Sequence, residues 1–260
     1  MDLNLKDKVI IVTGGSKGIG NGICNVLARE GAIPIIVGRN KEDVLNAVKT
    51  IENENQKASY AFAELTDPEQ CENAVKKVVE EFGRIDGLVN NAGVNDGVGL
   101  ENGNVEDFLK SINRNLTHYY AMAHHALPEL KRSKGAIVNI GSKTAETGQG
   151  NTSGYAAANG GRNALTREWA AELLPCQIRV NAVIVAECYT PLYHKWIQTF
   201  KKPEEKLKEI TNKIPLENRM TTTEEIANAV AFLLSSKSKH TTGQLIYVDG
   251  GYTHLDRALT

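Results

Sequence analysis

Short apolar runs alternate with amphipathic stretches from one end of the chain to the other. Residues 9–12, 34–37, 59–63, 87–90, 136–140, 178–183 and 244–248 are short, apolar and rich in β-branched side chains. Runs of this kind suit strands buried on both faces. Between them lie segments of helical length with one apolar side, at 18–30, 41–53, 68–82 and 224–234. Gly31 stands just after the first of these, where a helix commonly ends in the left-handed conformation. The alternation predicts right-handed βαβ units around a seven-stranded parallel sheet covered on both faces. One doubly wound α/β domain over residues 1–260 is expected, with no repeat, linker or low-complexity segment. The rhythm breaks only at 187–215, which is aromatic and charged. A long irregular excursion inside a compact domain is usually a lid or binding loop.

Bulk properties narrow the function classes. A net charge of −1 over 260 residues offers no field for nucleic acid or an anionic membrane. No apolar run approaches the roughly 20 residues of a membrane span. The start, Met1 to Asp7, lacks the basic and apolar regions of a signal peptide, so a cytoplasmic protein is expected. Cys24, Cys71, Cys176 and Cys188 show neither paired nor metal-ligand spacing and read as buried reduced thiols. The six histidines form no ligand spacing with acids or cysteines, so no metal site is predicted.

The first strand runs directly into Thr13-Gly14-Gly15-Ser16-Lys17-Gly18-Ile19-Gly20 and then a helix. Glycines at such a junction let the backbone turn sharply and approach a pyrophosphate. The helix N-terminus then supplies free N–H donors. Dinucleotide contacts are therefore expected at Gly14, Ser16, Lys17, Gly18, Ile19 and Gly20, against the plainer reading of a ligand-free glycine turn.

The spacing is T-G-x-x-x-G-x-G, and with Asn90-Asn91-Ala92-Gly93, Asn115, Ser142, Tyr155 and Asp249-Gly250-Gly251 the chain resembles the short-chain dehydrogenase/reductase family along its whole length. The resemblance implies a Rossmann-type fold, an NAD or NADP cofactor and hydride transfer. It makes Asn91, Ala92 and Gly93 cofactor contacts, puts Glu64 and Leu65 at the adenine, and brings Thr190 to the nicotinamide carboxamide. After the second strand, Gly38 removes the carboxylate that would repel a ribose 2′-phosphate, while Arg39 and Lys17 could clamp one. NADP is the favoured cofactor and NAD the alternative. Both cations could instead be solvated surface residues. Val185-Ala186 stand where the family usually has Pro-Gly, which leaves the loop entry less constrained.

The resemblance gives Ser142 the task of orienting the substrate oxygen and Tyr155 that of passing its proton. It puts Asn115 on a water chain to solvent and expects a lysine one helical turn after the tyrosine. Asn159 occupies that position. Singly, Ser142 could cap a strand end, Asn115 could mark a helix kink, and Tyr155 could be a core aromatic. Asn159 is neutral and cannot favour a phenolate, though it could still meet the nicotinamide ribose. A fall of roughly 10²–10⁴-fold in turnover is expected from losing such a group. The accounts are an engineered trap, decay to a non-catalytic dinucleotide-binding scaffold, or a substitute cation. Lys143 is the nearest candidate in sequence, but it follows Ser142 directly, and adjacent strand residues face opposite ways. If the chain is an impaired enzyme, restoring lysine at 159 should revive it.

The substrate walls are expected at Asn95-Asp96, 147–151 and Glu187-Cys188-Tyr189, with Tyr193, His194 and Trp196 able to close over them. That lining is polar with stacking aromatics, which suits a sugar or polyol better than an acyl chain or steroid. The segments Met1–Leu5, Val94–Gly97, Lys143–Ala145, Thr147–Tyr155 and Gly251–Leu259 resemble bacterial L-fucose dehydrogenases of this family. The resemblance implies oxidation of the anomeric hydroxyl of L-fucose or a related L-sugar to its lactone, with Glu187, Gln149 and Asn95 as sugar contacts. A 3-oxoacyl or other carbonyl reductase of the same family is the enzymatic alternative. The helices near 104–127 and 155–174 carry Phe108, Tyr119, Tyr120, Met122, Leu165 and Trp169 on more than one face. The family pairs these two helices across a two-fold axis and its C-terminal tail reaches toward a neighbouring site, so a homotetramer is expected, against a monomer with a well-covered core.

Overall fold

In the computed structural model, which describes residues 1–256, seven parallel strands form one sheet in the order β3-β2-β1-β4-β5-β6-β7. The strands are β1 Val9–Thr13, β2 Ile33–Gly38, β3 Ser59–Phe62, β4 Gly87–Asn90, β5 Ala136–Ser142, β6 Arg179–Val185 and β7 Leu245–Val248. All seven expected runs are present, with ends moved by one or two residues. The side-chain alternation within β1 shows why both faces must be covered. Ile10 and Val12 join the core under α1 (Gly18–Arg29), α2 (Lys41–Asn53) and α9 (Thr223–Leu234). Val9 and Ile11 join the core under α3 (Pro68–Phe82), α5 (His118–Ser133) and α6 (Ser153–Glu172). The strand order reverses between β1 and β4, so a crevice opens above their carboxyl ends, the usual ligand site of such sheets.

Local chemistry sets the helix ends. Asp67 caps α3 by accepting from Glu69 N and Gln70 N, and Gly83 closes it in the left-handed conformation. Thr222 and Glu225 form a reciprocal capping box on α9. The stretch expected as one helix over 104–127 is α4 (Val105–Ile112), a π-helical turn (Asn113–Thr117) and then α5.

The excursion at 187–215 is not irregular. It holds α7 (Pro191–Ile197) and α8 (Pro203–Thr211), each begun by a proline in its first turn, where the missing N–H costs nothing. Tyr119, Met122 and Trp169, expected on a free face, are instead buried in the chain's own core. Val105, Leu109 and Tyr120 stay exposed. Cys24, Cys71 and Cys188 are buried, and burial pushes their thiols up, to about 11 for Cys71 and about 12 for Cys188. Cys176 is only half-buried. The tail residues 257–259 that shared in the L-fucose resemblance lie outside the described residues. No helix among the described residues is long and apolar enough to cross a membrane.

Candidate active site

The glycine turn between β1 and α1 packs backbone closely against backbone. Gly14 and Gly18 have φ of +64° and +55°. A Cβ on Gly20 would stand 2.2 Å from the Gly14 carbonyl oxygen and 2.6 Å from Asn91 Nδ2, so no side chain fits there. Lys17 at the N-cap gives the helix no side-chain acceptor, which leaves first-turn N–H groups for an anion. Ser16 lies beside Gly38, and Thr190, the N-cap of α7, stands over the turn within 3.3 Å of where a Gly18 Cβ would be. This cradle suits a pyrophosphate.

Asn91 braces that turn rather than reaching outward. Its side-chain amide donates to the Thr13 carbonyl at 2.8 Å, while the Thr13 hydroxyl accepts from the backbone N–H groups of Asn91 and Ala92. Leu65 is partly buried against the core beside α3. Both cations expected to clamp a 2′-phosphate already face carboxylates: Lys17 pairs with Asp43 at 2.6 Å, and Arg39 donates to Glu64 at 2.8 Å. Partial burial alone would raise the Glu64 carboxyl. The hydrogen bonds from Arg39 and Thr66 outweigh that and hold it below its ordinary value. Glu64 therefore stays an acceptor.

Ser142 ends β5 and caps the 3₁₀ turn Lys143–Ala145. Its Oγ accepts from Thr144 N and Thr144 Oγ1 at 3.3 and 3.1 Å. Its own O–H is then the part left to donate to a substrate oxygen. Lys143 begins that turn instead of continuing the strand, so strand alternation does not decide where it points. Its ammonium ion-pairs with Glu187 and lies 3.9 Å from the Tyr252 ring centre. The Tyr193 hydroxyl also hydrogen-bonds Glu187, and burial first, then the Glu187 charge, drive that phenol well above its ordinary range. Asn95 and Gln149 are exposed on loops, and Asn95 Oδ1 accepts from Gly97 N. Trp196 is 46% exposed and stacks edge-on against Tyr193 and Phe200.

Asn159 is not available to a ribose. It is fully buried: its Nδ2 donates to the Tyr155 carbonyl at 2.9 Å and its Oδ1 accepts from Arg162 Nη1 at 3.0 Å. Arg162, only 2% exposed, was not anticipated from the sequence. Its Nε and Nη2 donate to the Asn115 carbonyl at 2.8 and 2.5 Å, and Nη1 also donates to the Ile140 carbonyl at 3.2 Å. The Asn115 carbonyl can accept because the π-helical turn opens the helical ladder at that residue. Asn115 Oδ1 accepts from Val94 N at 2.8 Å and fixes the loop after β4. Gly93 makes room for all this, since a Cβ there would be 2.7 Å from Arg162 Nη2. A charged residue three after Asn159, on the same buried helix face, was the signal that could have pointed to it.

A cavity of about 640 Å³ at the opposite, amino-terminal end of the sheet is lined by Lys8, Asp86, Arg179 and His240. It holds none of the expected catalytic or cofactor side chains.

A family model described as enoyl-(acyl carrier protein) reductase matches residues 14–253. The chain is 36% identical to a 3-oxoacyl-[acyl-carrier-protein] reductase FabG of Thermotoga maritima over 96% of this chain and 99% of that one. The chain belongs to the short-chain dehydrogenase/reductase family. It is an NAD(P)-dependent oxidoreductase of that family. Among solved structures, a Cj0485 dehydrogenase is 48% identical with TM-score 0.94, covering 100% of this chain and 99% of that one. The ligand-free aldohexose dehydrogenase of Thermoplasma acidophilum is 31% identical with TM-score 0.88, covering 98% of each.

Proposed function

We propose that this enzyme oxidises the anomeric hydroxyl of L-fucose or a related L-sugar to the lactone, with NADP preferred over NAD. The observation that supports it best is the Lys143–Glu187 ion pair with the Tyr193 hydroxyl, which puts donors and an acceptor side by side next to Ser142. A polyol presents paired hydroxyls that such groups can hold bidentately, whereas an acyl chain or steroid would leave them unpaired. Asn95, Gln149 and the exposed Trp196 complete a polar, stacking rim. The similarity to an aldohexose dehydrogenase agrees with a sugar substrate. Gly14, Ser16, Gly18, Ile19, Gly20, Ala92 and Thr190 hold the dinucleotide; Arg39 and Lys17 leave their carboxylate partners to meet the 2′-phosphate.

A nicotinamide dinucleotide held by these residues would supply the hydride acceptor for the substrate carbon. Ser142 donates to the substrate oxygen and holds it toward Tyr155. The substrate hydroxyl gives its proton to the Tyr155 phenolate as the carbon–oxygen double bond forms, and Tyr155 then returns that proton to solvent. The exposed Val105, Leu109 and Tyr120 form the two-fold contact of a homotetramer.

The test is NADP reduction with L-fucose, other aldoses, a hydroxyacyl thioester and a hydroxysteroid, repeated with NAD and with Glu187→Gln. L-Fucose with NADP is expected to be fastest. Glu187→Gln should lower its kcat/KM by about 10–100-fold, the magnitude of one lost charged hydrogen bond. Thioester turnover without any response to L-fucose would refute the sugar assignment and favour a reductase like the Thermotoga relative.

A further inference from the structure

Among the described residues, Arg162 is a buried cation without a counter-charge. Its four hydrogen bonds all go to neutral oxygens, those of Asn115, Ile140 and Asn159. Among the described residues no carboxylate lies within ion-pair distance of it. Burying an ionised guanidinium is costly, and replacing such groups by apolar ones often stabilises a fold, so stability alone does not account for it. What the guanidinium does face is aromatic. Its central carbon is 4.3 Å from the Tyr119 ring centre and 5.9 Å from that of Tyr155. The titratable groups around it are Tyr155 on its own helix and His118 and Tyr119 on α5; from β5 and the 92–93 turn it meets backbone. Tyr119 cannot be the anion it serves. That hydroxyl is sealed in the core, donates to the Ile140 carbonyl at 2.9 Å, and burial keeps it protonated despite the pull of Arg162. Tyr155 is only partly buried.

We infer that Arg162 is the positioning cation of the reaction, held by Asn159 and the π-turn carbonyl of Asn115 so that its charge stabilises the Tyr155 phenolate. The inference rests on Tyr155 being the acid–base group of the proposed function. Asn159 then has a defined task, to fix the guanidinium from one helical turn away. Asn115 acts in the same way through its carbonyl, and Gly93 through the space it leaves. In the oxidation direction Arg162 moves no proton. It lowers the free energy of the phenolate that receives the substrate proton.

The test uses Arg162→Leu, the double variant Asn159→Lys/Arg162→Leu, and Tyr155→Phe in the full-length protein. Dinucleotide binding by fluorescence and thermal unfolding first establish that each folds. Arg162→Leu should bind NADPH with little change yet oxidise the best hydroxyl substrate about 10²–10⁴-fold more slowly at neutral pH. Its rate should recover as pH rises, so that the acidic limb of the profile moves up by at least about one unit, the equivalent of 1.36 kcal/mol. The double variant, which moves the cation rather than removing it, should regain activity to within about tenfold of the parent on the same scale. A folded Arg162→Leu with the parental rate and profile would overturn the inference, as would a uniform loss at every pH that the relocated lysine does not rescue.

A readout without substrate covers the case in which Arg162→Leu fails to fold. Near-ultraviolet titration of the parent minus Tyr155→Phe reports the Tyr155 phenolate directly. A phenolate that forms no earlier than a free phenol, near pH ~10, overturns the role of Arg162. An early phenolate in a protein that turns over no hydroxyl compound upholds Arg162 and refutes the substrate assignment instead.

Discussion

Asn159→Lys alone should fail as a repair. The resemblance invites the substitution, because it would put a lysine one turn after Tyr155. The structure argues against it, since Asn159 Oδ1 sits 3.0 Å from Arg162 Nη1 in a fully buried position. A lysine ammonium that stayed within about 4–5 Å of the guanidinium would be repelled by about 3–4 kcal/mol at an effective dielectric of 20. Arg162 would also lose a charged hydrogen bond worth roughly 1.5–3 kcal/mol. Extension of the lysine toward the crevice, or loss of its proton, would recover part of this. A net destabilisation of about 2–5 kcal/mol is the outcome, a large share of the roughly 5–15 kcal/mol that holds a domain together.

The assay is urea unfolding of the parent, Asn159→Lys and Asn159→Lys/Arg162→Leu, followed by circular dichroism, with dehydrogenase activity measured on the same samples. At slopes of roughly 1–3 kcal/mol per molar urea, the single variant should unfold at least about 1 M earlier than the parent. Its activity should not exceed that of the parent, whereas the double variant should gain in both respects over the single one. A single variant as stable as the parent and more than about tenfold more active would refute the reasoning. It would show that the chain lacked only the lysine and that Arg162 is a bystander.

Two further outcomes follow from the geometry. Gly20→Ala would press a methyl group 2.2 Å from the Gly14 carbonyl oxygen, a backbone contact that cannot relax by a rotamer change. Dinucleotide affinity, measured by NADPH fluorescence, should fall at least about 100-fold, and an unchanged Kd would mean that the turn does not hold the pyrophosphate. His118 carries a pH dependence of stability. Burial foremost, and the Arg162 charge second, push its pKa down from 6.5 to about 3. Its Nε2 carries the proton that meets the Arg114 carbonyl, and its Nδ1 has no partner among the described residues. The unfolded chain therefore binds a proton that the folded one refuses between pH ~6.5 and ~3, so stability is complete above the upper value and declines below it. The unfolding free energy should drop by up to about 1.4 kcal/mol per pH unit in that window, and His118→Gln should flatten that slope.

The fold was legible because β-branched runs buried on both faces, separated by single-sided helices, admit few other arrangements. The glycine turn was legible for the same kind of reason, since only glycine serves where Gly20 meets the Gly14 carbonyl. Residue identity gave less away where a side chain had two partners to choose from. Asn91 had the composition of a cofactor contact, yet its amide closes on the Thr13 carbonyl. Along the chain Glu187 reads as a sugar contact and Lys143 as a poor substitute cation, because their pairing joins residues 44 apart that follow two different strands. The prolines at 191 and 203 did mark helix starts. An aromatic, charged stretch without clear periodicity hid the two short helices they begin.

Arg162 was missed because a motif is read at fixed positions, whereas the physical requirement is a place in space. Stabilising a phenolate needs positive charge near the tyrosine ring, anchored by oxygens that do not neutralise it. On a helix, residues four and seven after Tyr155 share its face, so a cation at either position can reach the same pocket. The deciding conditions lie elsewhere in the chain. The π-helical turn must free the Asn115 carbonyl, the Ile140 carbonyl must lie within reach of Nη1, and position 93 must lack a Cβ. All three are met for a guanidinium coming from position 162, and Asn159 adds the fourth oxygen. A lysine at 159 would remove that fourth oxygen and set a second positive charge beside the guanidinium. On this view Asn159 is the partner of a cation that stands one residue triplet further along the helix.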